Sequence, residues 1–84
     1  MTMQAPKRQI GFVLLEGFSM IAFSNAIEAF RMANYVSTEN LYGFPVAGLS
    51  ADGHTSASNN FSVYRTAQTA DVLYCQLIFF YVCL

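Results

Sequence analysis

Residues 9–35 read QIGFVLLEGFSMIAFSNAIEAFRMANY, which is an apolar run, a glycine turn and an amphipathic segment in succession. The run at 9–15 is almost continuously apolar, as is typical of a strand buried on both faces of a parallel sheet. Apolar residues then recur at helical spacing over 20–35, and Ser19 is the predicted N-cap. The stretch therefore predicts strand, tight turn and helix, the opening of a βαβ unit.

Two more strands are predicted downstream of this helix. The first covers 42–50, although Pro45 cannot donate to a strand ladder and favours an edge strand or the start of a strand. Asp52-Gly53 predicts a hairpin turn, so a third strand is expected from about residue 55, including 61–64.

The last part of the chain is strongly apolar. Residues 66–71 are predicted to be a connector or short helix, and the aromatic block 72–84 a buried strand. We expect 1–8 to be a disordered lead-in and 9–84 to be the N-terminal portion of one incomplete domain. An apolar strand without a covering helix is prone to aggregate.

Composition narrows the classes of function. The chain has 84 residues, 55% of them hydrophobic and 11% charged, with a formal net charge of −1. Its four basic residues are scattered, which gives no footprint for nucleic acid or an anionic membrane. We expect a cytoplasmic protein in which both cysteines, Cys75 and Cys83, are reduced core residues; the alternative is a disulfide between them.

Few residues are candidates for chemistry, and the sequence predicts no catalytic residue, cofactor or metal. Glu16 ends the first strand, where open α/β sheets bind ligands, so Glu16 and Phe18 are the predicted pocket-lining residues. Glu16 can also be interpreted as a solvated loop carboxylate, and the sequence favours this interpretation over a role in a pocket. His54 has no second ligand at metal spacing and is predicted to be an exposed turn residue.

The sequence resembles the ThiJ/PfpI-like (class I glutamine amidotransferase-like) N-terminal domain of GlxA-group AraC-type transcriptional regulators. The matching motifs are IGFVLLEGFS at 10–19, AIEAFRMAN at 26–34, and then Leu41-Tyr42, Asp52-Gly53 and Ala57-Ser58-Asn59. The resemblance implies an α/β fold, a partial flavodoxin-like three-layer sandwich of order β-α-β-β-(α)-β. It further implies a sensing and dimerisation module, with a small-molecule effector in full-length relatives.

The chain departs from that family in ways that bear on function. It has no helix-turn-helix region, and it ends before the strand-to-helix elbow that carries a nucleophilic cysteine in superfamily enzymes. Ala22 stands where those enzymes place an acid. We therefore expect a truncated, non-catalytic regulator domain that forms homo-oligomers and binds neither DNA nor membranes. The alternatives are a ThiJ/PfpI-superfamily cysteine hydrolase or amidotransferase-like enzyme and a standalone interaction module.

Overall fold

The structure is a computed structural model that describes residues 5–49 and 52–81. It is a mixed α/β fold with these elements in chain order: β1 (Arg8–Leu14), α1 (Met20–Ser37), β2 (Tyr42–Gly43), β3 (Val46–Gly48), β4 (His54–Ser56), β5 (Ser62–Tyr64), α2 (Thr69–Val72) and β6 (Leu77–Tyr81). Within the described parts of the chain, no helix has the length and apolarity needed to cross a bilayer.

The parallel sheet is built on β1, which pairs with β6 on one side. On the other side it pairs with both β2 and β3, in one register: Arg8 lies beside Tyr42 and Phe12 beside Val46. Only two residues separate β2 from β3, so they are two halves of one strand. Pro45 lies in the interruption, where its carbonyl still accepts from the Phe12 N–H at 2.9 Å.

Alternate side chains of β1 support two different layers. Ile10, Phe12 and Leu14 are buried in the cluster that packs against α1. Val13 is buried in a second cluster with Ala47 and with Val72 of α2. Because successive strand residues point to opposite faces, the two helices cover opposite faces of the sheet. The predicted strand with two buried faces is confirmed.

The predicted helix is also confirmed, and it extends to Ser37. The Ser19 hydroxyl accepts from the Ala22 N–H at 3.4 Å, which satisfies one amide of the first turn. The helix ends at Thr38, which has a left-handed backbone with φ of 58°. Its inner face packs on the core through partly buried apolar side chains, as predicted: Met20, Ala26, Ile27 and Phe30.

The region after β3 differs from the prediction of one further strand after a hairpin turn at Asp52-Gly53. The segment forms two short strands, β4 and β5, which pair with each other in an antiparallel hairpin outside the parallel sheet. The reversal lies between them, where Asn60 has a left-handed φ of 70°. Gly53 has a φ of 83°, but the strands on its two sides do not pair with each other. Asp-Gly here turns the chain without closing a hairpin.

The predicted buried strand at 72–84 was wrong in extent and in burial. Val72 ends α2, and among the described residues of this block Leu77–Tyr81 forms β6. Leu77 and Phe80 are exposed, and among the described strands β6 pairs with β1 alone. Residues 82–84 lie outside the described residues.

The predicted lead-in is described only from residue 5. Arg8 is the first residue of β1, and the Lys7 N–H donates to the Asn40 carbonyl at 3.4 Å. The strand therefore begins one residue before its predicted start at residue 9.

Candidate functional site

The turn at the carboxyl end of β1 is fastened to the β4–β5 hairpin. Glu16 is exposed, and its Oε2 accepts from the Ser56 N–H at 3.3 Å. The Gly17 N–H donates to the Ser56 carbonyl at 2.8 Å, and Gly17 has a φ of 81° that favours glycine. The carboxylate thus holds two loops together at the edge where the sequence predicted a ligand.

Phe18, the other predicted pocket-lining residue, is a core side chain. It is fully buried, and its ring packs edge-on against that of Phe23 with 5.8 Å between the ring centroids, a typical geometry for an aromatic pair. Neither Phe18 nor Glu16 lines the cleft described next. Their pocket-lining role stays a prediction.

An open cleft of about 1220 Å³ runs along the outer side of β2 and β3 and the C-terminal half of α1. This volume exceeds the range of about 300–1,000 Å³ that is usual for small-molecule sites. Apolar atoms make up most of its surface, and polar side chains enter it from the loop between α1 and β2 and also from β1, α1 and Thr66. The lining residues are Gln9, Ile27, Asn34, Tyr35, Thr38, Glu39, Asn40, Tyr42, Gly43, Phe44, Pro45, Val46 and Thr66.

Asn34 fixes the shape of this cleft. Its Oδ1 accepts from the N–H groups of Leu41 and Tyr42, both at 2.9 Å, and its Nδ2 donates to the Tyr42 carbonyl at 2.8 Å. One side chain thus ties the end of α1 to the start of β2. Asn34 follows Ile27 by two helical turns, so it lies on the same inner, largely apolar face of α1. A polar residue on such a face needs hydrogen-bond partners, and that signal could have identified it.

Replacing Asn34 with alanine is expected to lower the free energy of unfolding by about 2 kcal/mol, because three partly buried backbone groups lose their partner. Urea unfolding followed by circular dichroism measures the change. Ser24→Ala, on the exposed side of the same helix, is the matched control and should change it by less than about 0.5 kcal/mol. Equal stabilities for the two variants would show that the Asn34 contacts are not formed.

The groups that could carry catalysis do not come together in the described residues. His54 is not in an exposed turn as predicted: it begins β4, half-buried, with its ring 5.7 Å from that of Tyr64. Cys75 is half-buried beside Gly11, and burial raises the pKa of its thiol. Among residues 5–49 and 52–81, no three histidine, cysteine or acidic side chains are grouped to hold a metal ion.

The raised pKa predicts a poorly reactive Cys75, because the thiolate is the nucleophile. In a Cys83→Ser background, alkylation by iodoacetamide at pH 8 should be about threefold or more slower in the native chain than in urea. The native rate should still be rising at pH values where the urea-unfolded thiol has reached its plateau. A native rate faster than the unfolded one would indicate an activated cysteine instead.

Known proteins similar to this chain are transcriptional regulators. The chain is 44% identical over 46 residues to the HTH-type transcriptional regulator GbdR of Pseudomonas aeruginosa, in two strains. That match covers 55% of this chain and 12% of the relative. No family model matches.

A solved structure shares the fold. It is the crystal structure of an AraC family transcriptional regulator from Pseudomonas putida, with a TM-score of 0.79 and 23% sequence identity. The superposition covers 92% of this chain and 41% of that chain. The parallel sheet and its helices therefore occur within a longer regulator.

Proposed function

We propose that this chain is part of the sensing and dimerisation domain of an AraC-type transcriptional regulator, acting in the cytoplasm without catalysis. The observation that carries the proposal is the 44% identity over 46 residues with a helix-turn-helix regulator. The shared fold with an AraC family regulator supports it independently. We also propose that the whole regulator, of which this chain is a part, controls transcription from a promoter.

The finer assignment is a ThiJ/PfpI-like domain of the GlxA group with a flavodoxin-like sheet, spanning residues 9–84. It is supported by the parallel strand order, with the β2–β3 strand and β6 flanking β1 and helices on both faces. The motifs IGFVLLEGFS and AIEAFRMAN, which carried the resemblance, form β1 with its turn and the core of α1.

A non-catalytic role is supported by the chemistry of the described groups. Cys75 has a raised pKa where a nucleophile needs a lowered one, and the Glu16 carboxylate is engaged by the Ser56 N–H. In the proposed role the large cleft beside β2 and β3 receives a small-molecule effector. DNA contacts belong to another part of the regulator, because the basic residues of this chain are few and scattered.

A graft into the relative tests the proposal. Residues 8–48, from β1 to β3, replace the equivalent segment of GbdR, and transcription from a GbdR-dependent promoter is measured in a strain without GbdR. We expect the chimera to restore regulated transcription, because the unit supplies the same fold. The same graft with Phe12→Asp, which destroys the core, should be inactive. A chimera that accumulates to the parental level but leaves transcription at the empty-vector level would contradict the proposal.

A further inference from the structure

The solvent-facing side of α1 is unusually apolar for a surface helix. Ile21 and Val36 are 73% and 74% exposed at its two ends, and Met32 is exposed between them. At 3.6 residues per turn these three side chains lie on the side opposite the sheet. A helix that is apolar on its outer side as well normally has a partner there.

The charges on this helix form a self-complementary pattern. Among its 18 residues only Glu28 and Arg31 are charged, and they pair with each other near the helix midpoint. Both side chains are still about half exposed, at 53% and 56%. Each therefore has room for a second partner of opposite charge.

A two-fold axis beside the midpoint of the helix would bring together both the exposed apolar residues and the charges of two copies. In an antiparallel pair of such helices, the Ile21 end of one lies against the Val36 end of the other. The same axis brings Glu28 of each helix next to Arg31 of its partner, so the four charges alternate in sign. Ala29, exposed at the centre, allows the two backbones to approach closely.

We propose that the outer side of α1, through Ile21, Glu28, Arg31, Met32 and Val36, is the surface by which two copies of this chain form an antiparallel homodimer. This inference rests on the dimerisation part of the proposed function and gives it a location. The occupant is a second copy because the charge pattern is complementary to itself under a two-fold axis. A partner that carried only one sign of charge would be attracted by either Glu28 or Arg31 and repelled by the other, which lies three residues away.

Charge variants of the full chain test the interface by sedimentation velocity at low ionic strength. Glu28→Arg leaves only positive charge at the midpoint, and Arg31→Glu leaves only negative charge. Each variant alone should dimerise at least about tenfold more weakly than the wild type, because like charges meet across the axis. A 1:1 mixture of the two should restore a dimer containing one copy of each, which a size tag on one variant identifies.

Both variants lose the Glu28–Arg31 pair within each helix. Mixing them can therefore restore only contacts between two copies, which separates the two effects. Arg65→Glu, an exposed charge change after β5, is the matched control and should dimerise like the wild type. Circular dichroism confirms that each variant is folded. A monomeric wild type, a dimer insensitive to both variants, or a mixture that stays dissociated would each overturn the inference.

These results can be distinguished from failure of the proposed function. If the dimer is unchanged by both α1 charge variants, the chain still forms oligomers, but through another surface. The GbdR graft reports transcription by the relative and does not depend on which surface joins two copies of the isolated chain. Loss of activity in the graft with a confirmed α1 dimer would contradict the regulator proposal alone.

Discussion

Phe12→Ala is expected to lower the free energy of unfolding by about 3–5 kcal/mol. Phe12 is fully buried at the middle of β1. Its ring lies between 5.6 and 6.2 Å from four other aromatic rings, those of Phe23, Phe30, Phe79 and Tyr81. Removing it leaves a cavity where β1, α1 and β6 meet.

A loss of this size matches the whole stability of many small domains, so the variant should be largely unfolded at 25 °C. Thermal and urea unfolding followed by circular dichroism measure it. Phe61→Ala removes the same ring from the exposed side of the hairpin and should change stability by less than about 0.5 kcal/mol. Similar losses for the two variants would mean that Phe12 does not occupy the centre of the core.

Gly11→Ala is expected to destabilise the chain by about 1–3 kcal/mol, because there is no room for a side chain at this point of β1. A Cβ at Gly11 would lie 2.5 Å from Cγ1 of Val72 and 3.1 Å from Sγ of Cys75. Val72 is buried and stiff at χ1, so α2 itself would have to move away from the sheet. Urea unfolding of the purified variant measures the loss.

A double-mutant cycle identifies the cause of that loss. In a Val72→Ala background the clashing methyl group is absent, so Gly11→Ala should cost much less than it does in the wild type. The coupling between the two positions should be about 1 kcal/mol or more. Additive losses would show that α2 does not pack on Gly11 and that this face of the sheet is open.

The first half of the fold could be predicted from sequence because its signals are local. The apolar run of β1 and the helical spacing after Ser19 each determine an element without reference to the rest of the chain. The result is a strand at Arg8–Leu14 and a helix at Met20–Ser37, within a few residues of the predicted 9–15 and 20–35.

The second half could not be predicted as well because its pairing depends on distant partners. Asp52-Gly53 is a strong local turn signal, yet the hairpin closes at Asn60, where β4 finds β5. Phe80 is as apolar as Phe12, but its exposure is set by whether anything covers β6. Composition gives the hydrophobicity of a strand and does not give its neighbours.

The candidate site was only partly accessible to sequence reasoning. Glu16 was correctly placed at the end of β1, but its bond to Ser56 spans 40 residues and has no sequence signature. The cleft depends on the Asn34 clamp and on the interruption of the edge strand at Pro45, which meet only after folding. Pro45 was predicted to favour an edge or a strand start, and it lies directly before β3 in a strand that, among the described strands, pairs with β1 alone.

Amide hydrogen exchange of the full chain tests the central claim that β1 is the interior strand on which both layers are built. The amides of Ile10–Leu14 should exchange more slowly than those of β4, β5 and β6, because β1 alone has paired strands on both sides among the described elements. Exchange of the β1 amides as fast as those of the β4–β5 hairpin would contradict this account.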